Sequence, residues 1–213
     1  MSDAPEFDSD FRRQLSALLG WRRDVRRFRR DPLPPDLLTR LTEAAALAPS
    51  VGLSQPWRFV VVETPARRRS VLDNFRRCNE AALRDYDGEK AALYTRLKLA
   101  GLEEAPIQLA VFADGTTETG SHLGRRTMPE TVQYSVVCAI HTMWLVARAE
   151  GIGLGWVSIL EPRQLAIDLD VPAHWHFVAY LCLGYPRDDH DTPELEREGW
   201  ERRRPVAPFV LTR

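Results

Sequence analysis

Apolar residues recur at helical spacing at Phe11, Leu15, Leu18 and Leu19, and Gly20 is placed to stop the turn. The same periodicity predicts a helix over residues 36–47, ended by Pro49, in which Ala44, Ala45 and Ala46 allow close packing. Residues 57–62 and 107–112 are apolar runs of strand length, and 175–184 is a longer one. Between the first two, Pro65 opens a mostly helical stretch to residue 102, interrupted near 85–88. Thr127, Pro129 and Glu130 suggest a capping box before the longest apolar helix, residues 131–150. There Val132, Val136, Val137, Ile140, Met143, Trp144 and Ala147 give a broad apolar surface suited to a core or a subunit interface. A strand over 153–158 and a short helix to Leu169 follow Gly151. Helices and strands intermingle without regular strand, helix, strand units. That pattern predicts an α+β fold, with helices around one mixed sheet.

The segments outside this pattern are a polar start over residues 1–10, a loop over 49–56, a polar stretch over 114–126, and a charged, proline-rich extension over 187–213. The stretch at 114–126 suits a surface loop or lid. Trp200, Phe209, Val210 and Leu211 would be costly to leave in water, so the extension is expected to wrap over the body or a partner subunit. At 213 residues the chain is long enough for one large domain with a single core, and no internal repeat divides it. A formal net charge of -1 argues against a protein that coats nucleic acid. Cys78, Cys138 and Cys182 are too few and too dispersed for a disulfide framework, which fits a reducing compartment. With no apolar signal core at the start and no run apolar enough to span a bilayer, a cytoplasmic location is expected.

Candidate chemistry concentrates at residues 22–30, where six of nine residues are arginine and the one acid is Asp24. Guanidinium forks suit phosphate and carboxylate oxygens, whereas a carboxylate among them opposes anion binding unless it has its own task. A helical turn would pair Arg22 with Arg26 and an extended strand would alternate them, and the sequence leaves both open. The glycines at 151, 153 and 155 follow a helix, so they do not form a dinucleotide fingerprint; they fit a strand whose backbone another group approaches closely. His174 and His176 flank Trp175 with no further cluster to complete a metal site. Arginines near 22–26, the hydroxyl and amide loop over 50–55, and the glycine-containing strand together suit a phosphorylated aromatic cofactor, either a flavin or a nucleotide.

Residues 22–28, 48–59, the helix opening at Pro129, residues 151–158 and residues 183–186 together resemble the FMN-dependent nitroreductase-like flavoproteins. The resemblance runs from about residue 18 to 200. It implies an intertwined homodimer built on a mainly antiparallel sheet, with FMN in clefts at the subunit interface and the long helix in the dimer contact. It also implies that the FMN phosphate meets Arg22, Arg23 or Arg26, completed by a later arginine, best taken as Arg197 among several in the tail. Ser50, Gln55 and Trp57 would line the polar edge of the flavin or its ribityl chain, and the backbone at Leu154, Gly155 and Trp156 would approach the ring system.

General members of the family carry serine or threonine where this chain has Asp24. With aspartate there and serine at 158, the chain is most similar to members that consume their flavin, breaking down reduced FMN with molecular oxygen to form 5,6-dimethylbenzimidazole, the lower ligand of vitamin B12. Asp24 would then be the base, and Ser158 the hydroxyl that positions an intermediate. Residues 114–128 or part of 78–94 would cover the site, and reduced FMN would come from a separate flavin reductase or arrive by diffusion. The rival readings are an NAD(P)H-dependent nitro- or flavin reductase, in which FMN turns over unchanged, and a noncatalytic flavin-binding protein.

Overall fold

The computed structural model describes residues 4–212. Residues 1–3 of the polar start, and Arg213 at the end of the extension, lie outside the described residues. The first helix, α1 (Ser9–Trp21), is opened by Asp8, whose carboxylate accepts from the Phe11 N–H at 2.7 Å. It runs through Gly20 rather than stopping there, because one glycine costs a helix only about 1 kcal/mol. After α2 (Leu37–Ala46) and a single turn over Val51–Leu53 come β1 (Trp57–Val61), α3 (Pro65–Leu83) and α4 (Gly88–Arg96). The helical stretch therefore ends at Arg96, short of residue 102. Next are β2 (Ile107–Asp114), α5 (Thr131–Ala149), β3 (Gly153–Val157), α6 (Pro162–Leu169), β4 (Trp175–Gly184) and the single turn α7 (Glu194–Arg197).

The four strands form one sheet in the order β1-β2-β4-β3, and every pair is antiparallel. The expected mixed character is confined to an isolated parallel bridge between Asp24 and Leu154. One sheet face packs on α5 and α2, where Leu37, Leu41, Val136, Ile140 and Met143 are fully buried. The other carries Phe112, Val157, Tyr180 and Cys182 against residues of α3 and α6. At about 1.5–3 kcal/mol for each large apolar side chain removed from water, displacing α5 would forfeit several such contributions, so it is a rigid platform. Its opposite face is uncovered in the single chain, with Tyr134 53% and Val137 40% exposed.

One further local expectation is corrected. The capping box at residues 127–130 does not form: Glu130 occupies the cap position without a side-chain bond, and the Thr131 hydroxyl donates instead to the Met128 carbonyl at 2.6 Å. In the tail, Trp200 meets Tyr86 edge-on at 5.3 Å and lies under the Lys90 ammonium at 3.8 Å. Phe209, Val210 and Leu211, however, stay about two-thirds or more exposed in one chain, at 66%, 68% and 72%. No helix among the described residues is long and apolar enough to cross a membrane.

Candidate active site

The choice left open for the arginine stretch is decided by tertiary pairing. Arg22 leaves α1 in an extended conformation, its N–H donating back to Leu18. The Val25 N–H then donates to the Leu154 carbonyl at 3.1 Å, and Phe28 bridges to Pro186. Extended backbone has a two-residue side-chain period, so Asp24 and Arg26 fall on one side and Val25 on the other. Arg26 Nε donates to Asp24 Oδ2 at 2.8 Å and Nη2 lies 2.8 Å from the same oxygen in an ion pair, while Asp24 Oδ1 accepts from the Trp156 N–H at 2.8 Å.

The glycines of β3 owe their presence to this segment. A Cβ at Gly155 would lie 2.1 Å from the Val25 carbonyl oxygen, and one at Gly153 would lie 2.9 Å from the Val25 side chain. The group that comes close to this strand within the chain is therefore residues 24–25. Leu154 is buried, its carbonyl is taken by Val25, and the Trp156 N–H is taken by Asp24. Ser158 is exposed just beyond β3, two residues past the amide that anchors Asp24, or roughly 7 Å along the strand.

The electrostatics divide the arginines by task. Arg23 is tied to the tail, with Nε donating to the Asp191 carbonyl at 2.6 Å, and Arg27 pairs with Glu194. Arg26 is held by Asp24 and by the Lys98 carbonyl at 3.2 Å. Arg22 differs: its guanidinium lies 4.6 Å over the Trp144 ring and donates no side-chain hydrogen bond among the described residues. Burial pushes its pKa down, against the pull of Asp24, and the nearby Arg203 guanidinium adds to the shift. A partly desolvated cation facing a second cation, with unused donors, is a site for a multiply charged anion. Arg22 and Arg203 share a recess of about 140 Å³ with Asp24, and Arg197 lines an adjoining one of about 190 Å³ with Asp24 and Arg26. Asp24 itself is enclosed except for an edge that leaves its side chain 29% exposed. Burial pushes its carboxyl above the ordinary value, while Arg26, the Trp156 N–H and Arg22 pull it back.

The remaining expected residues stand elsewhere. Ser50 Oγ accepts from the Gln55 N–H at 3.2 Å, the Val51 N–H donates to Ser135 of α5 at 3.0 Å, and Trp57 opens β1. Because Trp156 aligns through Leu181 and Leu109 with Val61, Trp57 is three strands across and four residues along from it. That is roughly 14 Å by 13 Å at ordinary strand spacings. One chain thus carries two separate groups, at opposite sheet edges. Sequence reasoning missed Trp144, which both stacks on Arg22 and donates to the Arg23 carbonyl at 3.2 Å, because an aromatic within an apolar helix looks like core. Among the tail arginines it put Arg197 ahead of its competitors Arg202, Arg203 and Arg204, whereas Arg203 is the one that shares a recess with Arg22.

Residues 19–185 match the model of the nitroreductase family. The chain belongs to the nitroreductase family. Within it, the chain is 58% identical over 205 residues to the 5,6-dimethylbenzimidazole synthase of Rhodospirillum rubrum, covering 96% of this chain and 97% of that protein. It is 47% identical over 200 residues to a protein of the same name from Rhodobacter capsulatus, covering 94% and 97%. An oxidized iodotyrosine deiodinase, solved with FMN and 3-iodo-L-tyrosine, shares the nitroreductase-family fold at a TM-score of 0.71 and 22% identity, over 93% of this chain and 97% of that one. Among the described residues, no group of three or more His, Cys, Asp or Glu side chains is placed to hold a metal.

Proposed function

We propose that this chain converts reduced FMN and molecular oxygen to 5,6-dimethylbenzimidazole. The observation that carries the reading is Asp24: a carboxylate fixed by the Trp156 N–H, raised in pKa, and open along one edge toward recesses lined by arginines. The residues fit the cofactor, since Arg22 offers unused donors to a phosphate, with Arg203 lining the same recess and Arg197 the adjoining one. Bound reduced FMN supplies the electrons and the carbon skeleton, and oxygen is the oxidant. Asp24 would take up a proton at its open edge, a role that its raised pKa favours. The Ser158 hydroxyl, just beyond the end of β3, would donate a hydrogen bond to the bound flavin and orient it toward Asp24.

The same reading makes the enzyme a cytoplasmic homodimer. Two groups at opposite sheet edges complete one site when the Asp24 edge of one subunit faces the Ser50, Gln55 and Trp57 edge of its partner. The exposed apolar residues of α1 and α5, among them Leu19 at 47% and Tyr134 at 53%, suit that contact. Supplying chemically reduced FMN and oxygen and assaying 5,6-dimethylbenzimidazole by chromatography tests the function. Folded protein that yields none, yet reduces nitro compounds with NAD(P)H, belongs to the reductase class instead.

A further inference from the structure

We infer that Arg26 is a positioning residue for Asp24, setting the aim and basicity of that carboxylate, rather than a ligand of the cofactor phosphate. The inference rests on the role proposed for Asp24. Arg26 places two of its three nitrogens on one oxygen, Oδ2, at 2.8 Å each, and the third on the Lys98 carbonyl at 3.2 Å. Its side chain is only 13% exposed. A guanidinium anchored by all three nitrogens has little left for a phosphate, whereas Arg22 donates none of its side-chain hydrogens. With Arg26 on Oδ2 and the Trp156 N–H on Oδ1, the carboxylate plane is fixed from two sides, and its open edge points to the recess.

Arg22 also acts on Asp24 through its charge, but among the described residues no charged side chain except Arg26 is hydrogen-bonded to the carboxylate. Within the stretch, Arg22 stacks on Trp144, Arg23 is tied to Asp191 and Arg27 to Glu194. Lys98 spends its ammonium on Glu104 at 3.2 Å. On β4, the buried Cys182 thiol is pushed up to about 12 and stays neutral. From the tail, Asp188, His190, Arg197, Glu198 and Arg203 line the adjoining recesses without a hydrogen bond or ion pair to Asp24. A cation within hydrogen-bond distance of a carboxylate lowers its pKa by roughly one to three units. Removing Arg26 must therefore raise the Asp24 titration midpoint.

The test uses the FMN-free protein. The Asp24 carboxyl is followed by carbon NMR against pH, with Asp24→Asn to assign the signal, in wild type, Arg26→Lys and Arg26→Met. FMN affinity is measured in parallel by fluorescence titration at two salt concentrations. Arg26→Met is expected to move the midpoint upward by roughly one to three pH units, Arg26→Lys to move it less, and the affinity to stay within about threefold of wild type. An unmoved midpoint overturns the inference whatever happens to affinity, and a tenfold or greater loss of affinity with an unmoved midpoint returns Arg26 to the phosphate. Should neither variant fold, the Arg26 Nε–H resonance of wild type serves: it must follow the Asp24 midpoint, and independence from it overturns the inference. Product assay of wild type separates the two readings. Wild type that makes no 5,6-dimethylbenzimidazole defeats the proposed function, whereas product formation with an unmoved midpoint defeats only the role of Arg26.

Discussion

The carbonyl oxygen of Val25 occupies the space where a side chain at Gly155 would begin, 2.1 Å from the position of its Cβ. Since Asp24 Oδ1 is fixed to the Trp156 N–H next door, the glycine and the carboxylate are parts of one arrangement. Gly155→Ala is expected to push residues 24–25 off β3. Overpacking of this kind costs about 1–3 kcal/mol, and misplacing a catalytic group by about an ångström costs on the order of 10²-fold in rate. Thermal unfolding and product assay of the variant check both numbers, and near wild-type activity would break the link.

Asp24→Asn keeps the shape and removes the proposed base. Product formation should fall by about 10²–10⁴-fold while FMN still binds, as measured by product assay and titration.

The raised pKa of Asp24 also has a sign for stability. The folded protein holds this proton more tightly than the unfolded chain. The Asp24 contribution is therefore most favourable below the ordinary carboxylate pKa, and it declines as pH rises through the folded value. The melting temperature of Asp24→Asn relative to wild type should climb across that window and level off above it. A difference that falls with rising pH would contradict the assignment.

Trp144 braces the proposed phosphate end through its ring under Arg22 and its N–H on the Arg23 carbonyl. A cation–π contact contributes about 0.5–2 kcal/mol and the hydrogen bond about 1 kcal/mol. Trp144→Leu should weaken FMN binding by about tenfold, and Trp144→Phe, which keeps a ring, by less. Equal losses in the two variants would remove the stacking role.

Mixed dimers test the composite site. Asp24→Asn and Gln55→Ala chains, each inactive alone, are expected to regain about a quarter of wild-type activity when refolded together, because half the dimers are mixed and each holds one intact site of two. No recovery, with mixed dimers verified by mass spectrometry, would place Asp24 and Gln55 in the same subunit's site.

Much of this was legible along the chain. Apolar runs at 57–62, 107–112, 153–158 and 175–184 became the four strands within a residue or two, and the α5 pattern became the central helix. These elements are set by local periodicity, since each must bury one face. Residues 22–28 have no such face. The five charged residues around Val25 and Phe28 allow helix and strand alike, and only the edge of β3, with glycines at 153 and 155 to receive Val25, makes them extended. Residue types fixed an arginine cluster with one acid inside it. Which arginine serves the acid, which faces Trp144 and which the tail holds depends on neighbours from more than 70 to almost 170 residues away, at Lys98, Trp144, Trp156 and Asp191. Hydrogen-bond partners at such separations leave no periodic trace in a sequence, so their assignment belongs to the tertiary structure.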